Sequence, residues 1–242
     1  MHRNLFSAQS VNHPEDRVLA APVPTVEAVL FDFSNTLFRM IPIEEWLCRI
    51  AGRTGRGDQL VDVGMVAEQI VTVMELPEVA AAQVNRDISK QRYRTAMYEV
   101  FSRVDFLRGV EQEAFEEMIA PDAWLPYPDT EPVLRELRAR RIPVGLVSDI
   151  AWDLQVHLEY AGLNELINSR ILSYEVGREK PDPQIFLKAC AELGADPRRT
   201  LMVGDNPARD GGAVAAGLRA FILAGEERTG ERGLADVLRL LD

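Results

Sequence analysis

One carboxylate, Asp32, closes the apolar run Val29-Leu30-Phe31 and opens the turn-forming stretch Asp32-Phe33-Ser34-Asn35-Thr36. An apolar run that ends in an acid and then turns places that acid at the carboxyl edge of a sheet, where open α/β sheets bind ligands. Three later stretches give it company. Pro143-Val144-Gly145-Leu146-Val147-Ser148-Asp149 stops at a hydroxyl and an acid, and Leu201-Met202-Val203-Gly204-Asp205 stops at Gly-Asp, with Asp210 a short loop later. Between them, the prolines of Glu179-Lys180-Pro181-Asp182-Pro183 delay the next helix and keep Lys180 in a loop. A carboxylate can attack phosphorus and divide one hard displacement into two easier ones. Attack by an anion on a phosphate needs charge compensation, which an ammonium group supplies directly and which clustered acids supply by holding magnesium through oxygen. Each stretch alone has an ordinary explanation, since Asp and Ser cap helices and Gly-Asp makes turns. Four such accidents in sequence order are far harder to obtain.

The ordered set resembles the haloacid dehalogenase superfamily, most of whose members are magnesium-dependent phosphatases and phosphotransferases. The resemblance runs from about Glu27 to Phe221. It implies Asp32 as nucleophile, Ser148 as a ligand of phosphoryl oxygen and Lys180 as the partner of both. It also implies a Mg2+ site made of Asp32, the Ser34 backbone carbonyl and Asp205, with Asp210 orienting metal-bound water or Lys180 from behind. Asn35 and Thr36, with Ser148 and Asp149, complete the expected substrate-binding set. Asn35 stands where the family mostly has Gly, and Asn tolerates the left-handed backbone better than other side chains. Whether Asp149 orients Lys180 or caps a helix is open at this stage.

One position departs from the pattern. The family's phosphatases carry a second Asp two residues after the nucleophile, which protonates the leaving group and later activates water; here it is Ser34. General acid–base catalysis is worth roughly 100- to 10,000-fold, so the departure bears on turnover. Water, a carboxylate such as Glu44 or Glu45, or a good leaving group would have to fill the role. The leading expectation is a magnesium-dependent phosphatase or phosphotransferase acting on a small phosphorylated metabolite. The alternatives are a catalytically attenuated binding module and a member cleaving carbon–phosphorus or carbon–halogen bonds. The carbon–phosphorus reaction would need a Schiff-base lysine, and Lys90 is the one lysine between residues 40 and 124.

The elements that position these residues read as an α/β Rossmann-like parallel sheet with a small all-helical cap. The expected division is a loose leader over 1–25, a core over 26–39 and 125–242, and a cap over 40–124. Within the cap, apolar spacing predicts helices over 44–51, 59–74, 86–102 and 111–119 and no strand. Beyond it, Thr130 is expected to cap a helix reaching about Arg140. Strands at 144–148, 170–173, 201–203 and 220–223 then alternate with helices at 153–160, 183–193 and 212–216, which implies a parallel sheet covered on both faces. A last helix is expected over 234–241. Phe38, Arg39, Glu44, Glu45 and Trp46, near the hinges, are the candidate substrate contacts of the cap.

Composition narrows the field. With 242 residues and 47% hydrophobic content the chain can bury one substantial core. A net charge of −11 disfavours nucleic acid as a partner. No apolar run is long enough to span a bilayer, which needs about 20 residues. Cys48 and Cys190, far apart and without metal-like spacing, argue for a reducing cytoplasm. His2 and His13 fall in the leader, and His157 reads as a packing residue on a helix. The oligomeric state is open.

Overall fold

The computed structural model describes residues 25–223 and 230–241. The expected leader, and His2 and His13 with it, lies outside the described residues but for Thr25. In chain order the elements are β1 (Ala28–Phe31), β2 (Phe38–Met40), α1 (Ile43–Thr54), α2 (Val63–Met74), α3 (Pro77–Gln83), α4 (Lys90–Phe101), α5 (Glu111–Met118), β3 (Trp124–Pro126), α6 (Thr130–Ala139), β4 (Val144–Ser148), α7 (Gln155–Tyr160), β5 (Ser169–Leu172), α8 (Ser173–Val176), α9 (Pro183–Leu193), β6 (Thr200–Gly204), β7 (Arg219–Ile222) and α10 (Ala235–Arg239).

Five strands form one sheet in the order β5-β4-β1-β6-β7, every neighbour parallel. β1 is central because all four of its residues are apolar and buried, the pattern of a strand covered on both faces. Its side chains alternate between two cores. Val29 and Phe31 join the larger cluster with Leu146, Val203 and Leu134, while Leu30 joins a smaller one with Val147, Met202 and the α9 residues Ile185, Phe186 and Ala189. Each such side chain, fully buried, contributes on the order of 1.5–3 kcal/mol. Gly145 of β4 is fixed by this packing, since a Cβ there would lie 2.8 Å from the Leu30 side chain and 2.9 Å from the Ser169 hydroxyl.

Between β1 and β4 the chain leaves the sheet. β2 and β3 form an antiparallel ribbon, Phe38 opposite Pro126 and Met40 opposite Trp124, and all the helices from α1 to α5 lie between its two arms. The ribbon corrects the expectation of no strand over 40–124. Three residues per arm give too short a period-2 signal to stand out, and the expected boundaries at 39/40 and 124/125 cut through it. The predicted helix over 59–74 divides into a 3-10 turn at Gly57–Gln59 and α2, with Asp62 accepting from the Met65 N–H as the N-cap. α3, which opens with Pro at its first turn, was not expected. The buried cluster runs unbroken from the sheet through Trp46, Tyr93, Met97 and Phe115 of these helices.

Two further corrections concern helices. Thr130 is the first residue of α6, but its hydroxyl donates to the Leu37 carbonyl at 2.7 Å and not to its own helix. The segment after Asp205 is a 3-10 helix, Asp210–Ala216, in place of the expected α-helix from Gly212. Among the described residues no helix is long and apolar enough to cross a membrane.

Candidate active site

The register of β1 sets the site. Phe31 pairs with Leu146 of β4 on one side and with Val203 of β6 on the other. The Asp32 N–H continues the ladder by donating to the Val203 carbonyl at 2.9 Å. Asp32 therefore stands at the carboxyl end of the central strand, with Ser148 closing β4 and Asp205 following β6 on either side of it. This is where strand order changes direction, the ordinary place for a ligand in an open α/β sheet.

The chain turns sharply after Asp32. The N–H groups of Leu37 and Phe38 both donate to the Phe33 carbonyl, and the Asn35 N–H donates to the Phe38 carbonyl at 2.6 Å. Asn35 takes φ 55°, the left-handed conformation expected of it. Thr36 is fully buried, and its hydroxyl finds no hydrogen-bond partner among the described residues. Phe33 anchors the loop from below, stacked on Phe38 with ring centroids 4.5 Å apart.

Lys180 joins the stretches. Its side chain is 2% exposed, and Nζ lies 2.9 Å from Asp32 Oδ1 and 2.6 Å from Asp210 Oδ1. Asp149 settles its open role here: Oδ1 accepts the Lys180 backbone N–H at 2.9 Å and Oδ2 pairs with Arg209 Nη1 at 2.5 Å. It caps no helix. Asp210, fully buried, divides its oxygens between Lys180 and the Asn206 N–H, the latter at 2.9 Å. Gly204 is required by this arrangement, because any Cβ there would overlap the Asp210 carboxylate. Gly212 likewise packs on Pro181, with room for no side chain.

Asp32, Asp205 and Asp210 each offer an oxygen, and these lie within 4.8 Å of one another. Burial raises the Asp32 carboxyl to about 6; Lys180 works against this and Asp210 adds to it. Asp205 is raised by burial and then by Asp210, with Lys180 and Arg232 acting in the opposite sense. Burial disfavours the Lys180 ammonium, but Asp32 and Asp210 outweigh it and hold the group above the ordinary lysine range. Three clustered acids, two of them in contact with one ammonium, leave excess negative charge in a largely buried place. That imbalance, with hard oxygen donors, fits a divalent metal ion.

The hinge candidates separate. Phe38 is fully buried, and Trp46 packs on the Phe101 ring at 5.7 Å, so both are core. Arg39 is half-buried, whereas Glu44 and Glu45 are exposed, Glu45 being paired with Arg49 at 2.7 Å. The Lys90 ammonium sits over the Tyr174 ring at 4.6 Å. His157 is fully buried, edge-on to Phe33, and burial holds its imidazole below the usual range.

Several residues went unseen in the sequence. Arg209 and Glu179 flank the acid–lysine group, and their charged neighbours in the motif loops were a usable signal. Asp87, from the 3-10 turn Arg86–Ile88, donates its N–H to Glu179 Oε1 at 2.9 Å and accepts the Ser173 hydroxyl at 2.7 Å. Nothing local in the sequence marks that contact.

Comparison with known proteins finds relatives over most of the chain. The chain is 26% identical over 219 residues to a ribulose-1,5-bisphosphate 5-phosphatase of Halopiger xanaduensis, covering 86% of this chain and 89% of that protein. It is 42% identical over 96 residues to a phosphoserine phosphatase of Thermus thermophilus, a match spanning 39% of each chain. The crystal structure of a HAD phosphatase from Thermococcus onnurineus superposes with a TM-score of 0.61 at 23% identity, over 89% of this chain and 98% of that one, a likeness of fold. Residues 26–217 match the haloacid dehalogenase-like hydrolase family, and over that extent the match places this chain within it.

Proposed function

We propose that the protein is a magnesium-dependent phosphatase or phosphotransferase of small phosphorylated metabolites, with Asp32 as the nucleophile. The observation that carries this reading is the buried contact of Lys180 with both Asp32 and Asp210 beside Asp205. Asp32 and Asp205, with the Ser34 carbonyl, would hold the ion, and Asp210 would keep Lys180 in place. When bound, magnesium supplies positive charge against the phosphate oxygens. The chain's own residues do the rest. An Asp32 oxygen attacks phosphorus, the bond to the ester oxygen breaks, and the freed alkoxide takes a proton as it leaves. Water then attacks phosphorus in the aspartyl-phosphate, releasing inorganic phosphate and restoring the carboxylate. Ser148, Lys180 and the Ser34 and Thr36 amides are prearranged donors for the phosphoryl oxygens, the kind of stabilisation that contributes most to such reactions.

The helices between the ribbon arms act in this reading as a cap that excludes water and selects the substrate. Their contacts with the loops after β4 and β5, Asp87 to Ser173 and the Tyr93 ring against Trp152 at 5.3 Å, support it. The relatives' activities, on phosphoserine and on a sugar bisphosphate, support a small phosphate ester. The thiols of Cys48 and Cys190 are unpaired, which fits a reducing cytoplasm.

Ser34 favours a second reading, a phosphate-binding protein with little turnover. The deciding assay is magnesium-dependent phosphate release from p-nitrophenyl phosphate, acetyl phosphate, phosphoserine and sugar bisphosphates, with EDTA as control. Release abolished by EDTA supports the enzyme. If wild type and Ser34→Asp were both inert while binding magnesium, the binding reading would replace it.

A further inference from the structure

Arg232 lies beyond the stretch that matches the family, residues 26–217, yet it reaches the nucleophile loop. It is 3% exposed, and its Nε donates to the Asn35 carbonyl at 2.6 Å. Asn35 is the left-handed residue of that loop, so its carbonyl direction fixes the turn that presents the Ser34 carbonyl and the amides near Thr36. The arginine is held from both sides. Its guanidinium lies 5.8 Å from the Tyr127 ring centroid. Its own N–H donates to Asp129 Oδ1 at 2.9 Å, and the N–H groups of Gly233 and Leu234 donate to Asp129 Oδ2 at 2.8 Å each. Asp129 is itself buried and precedes α6.

A buried carboxylate accepting three backbone amides makes a rigid clasp, because each charge-assisted hydrogen bond is about twice as strong as a neutral one. A surface turn has no need of this. The clasp delivers one buried cation to one carbonyl, 197 residues away in sequence.

We infer that Arg232 is a positioning residue: with Asp129 it locks the Ser34-Asn35-Thr36 turn in the shape that binds the metal ion and the phosphoryl group. The inference rests on the proposed phosphatase reading for the identity of those ligands, but the locking of the turn does not.

The test uses the full-length protein with Arg232→Met and Arg232→Lys, read by amide hydrogen exchange over residues 33–38, by calorimetric titration of Mg2+ into the metal-free protein, and by Tm. Arg232→Met is expected to speed exchange in that loop more than elsewhere and to weaken Mg2+ binding by roughly tenfold, the scale of one lost hydrogen bond to a charged group. Arg232→Lys, which keeps the charge and a donor, is expected to fall between the two and carries the same readouts if the methionine variant does not fold. Unchanged loop exchange and unchanged Mg2+ affinity, even with a lowered Tm, would overturn the inference. If wild type hydrolyses no phosphate ester but the loop and Mg2+ readouts move as stated, the inference stands and the phosphatase reading falls.

Discussion

Removing the Lys180 ammonium while keeping its stem, by Lys180→Met, isolates the charge on which the site depends. In the metal-free protein this cation faces Asp32 and Asp210, whose side chains are 10% and 0% exposed. Breaking a buried pair by taking one partner costs about 3–5 kcal/mol, because the remaining charge has nowhere to go. The sign with pH follows from proton binding. Asp32 already sits at about 6 with the lysine present, against an ordinary value of 3.8, so the native state holds a proton that the unfolded chain releases between those limits. Stability from this source falls as pH rises from about 4 to 6 and is flat above. Without Lys180 the Asp32 carboxyl moves higher still, and the fall continues past pH 6. Urea unfolding in EDTA at pH 5, 6.5 and 8 should show a penalty of about 3–5 kcal/mol at pH 8 that is at least halved at pH 5. The double variant Lys180→Met with Asp32→Asn should recover part of the loss at pH 8. A penalty equal at all three pH values would mean that the stem's packing, and not its charge, is what matters, and would refute the electrostatic account of the site.

Two further outcomes are expected. Ser34→Asp should raise phosphatase turnover by roughly 100-fold or more, by supplying the proton donor that the loop lacks; a steady-state rate equal to wild type would show that another group already fills that role. Asp87→Asn should stabilise the protein at pH 7.5. Burial holds Asp87 at about 6, with Arg86 and Arg209 opposing and Glu179 and Asp149 adding, so its charge is unfavourable above that pH. Its hydrogen bonds to Glu179 and Ser173 are made by the backbone and survive the change. The gain should be about 1–3 kcal/mol at pH 7.5 and vanish near pH 4, where both forms are neutral; equal Tm values for variant and wild type at pH 7.5 would contradict it.

The parts of this architecture that were legible in the sequence share a cause. Parallel strands covered on both faces must be apolar throughout, so Val29-Leu30-Phe31, Val144 to Val147 and Leu201 to Val203 stand out, and the polar residue ending each run marks the sheet edge. Lys180 was legible because Pro181 and Pro183 exclude regular structure around it. The rest depends on partners distant in sequence. The β2–β3 ribbon has three residues per arm and exists only when Trp124 meets Met40. Thr130 sits at a helix start, where local rules make it a cap, but Leu37 offers its hydroxyl a buried carbonyl that the helix does not. Arg232 and Asp129 carry no motif; their meaning lies in a contact across the whole chain.

The proposed mechanism requires that Asp32 be phosphorylated during turnover. Incubation with acetyl phosphate or p-nitrophenyl phosphate and Mg2+, followed by acid quenching and peptide mass spectrometry, reads this directly. A phosphoryl group is expected on the peptide containing Asp32, long-lived because Ser34 is a poor base for its hydrolysis, and absent from Asp32→Asn and from samples in EDTA. Magnesium-dependent turnover that persists in Asp32→Asn, with no label on that peptide in wild type, would contradict it.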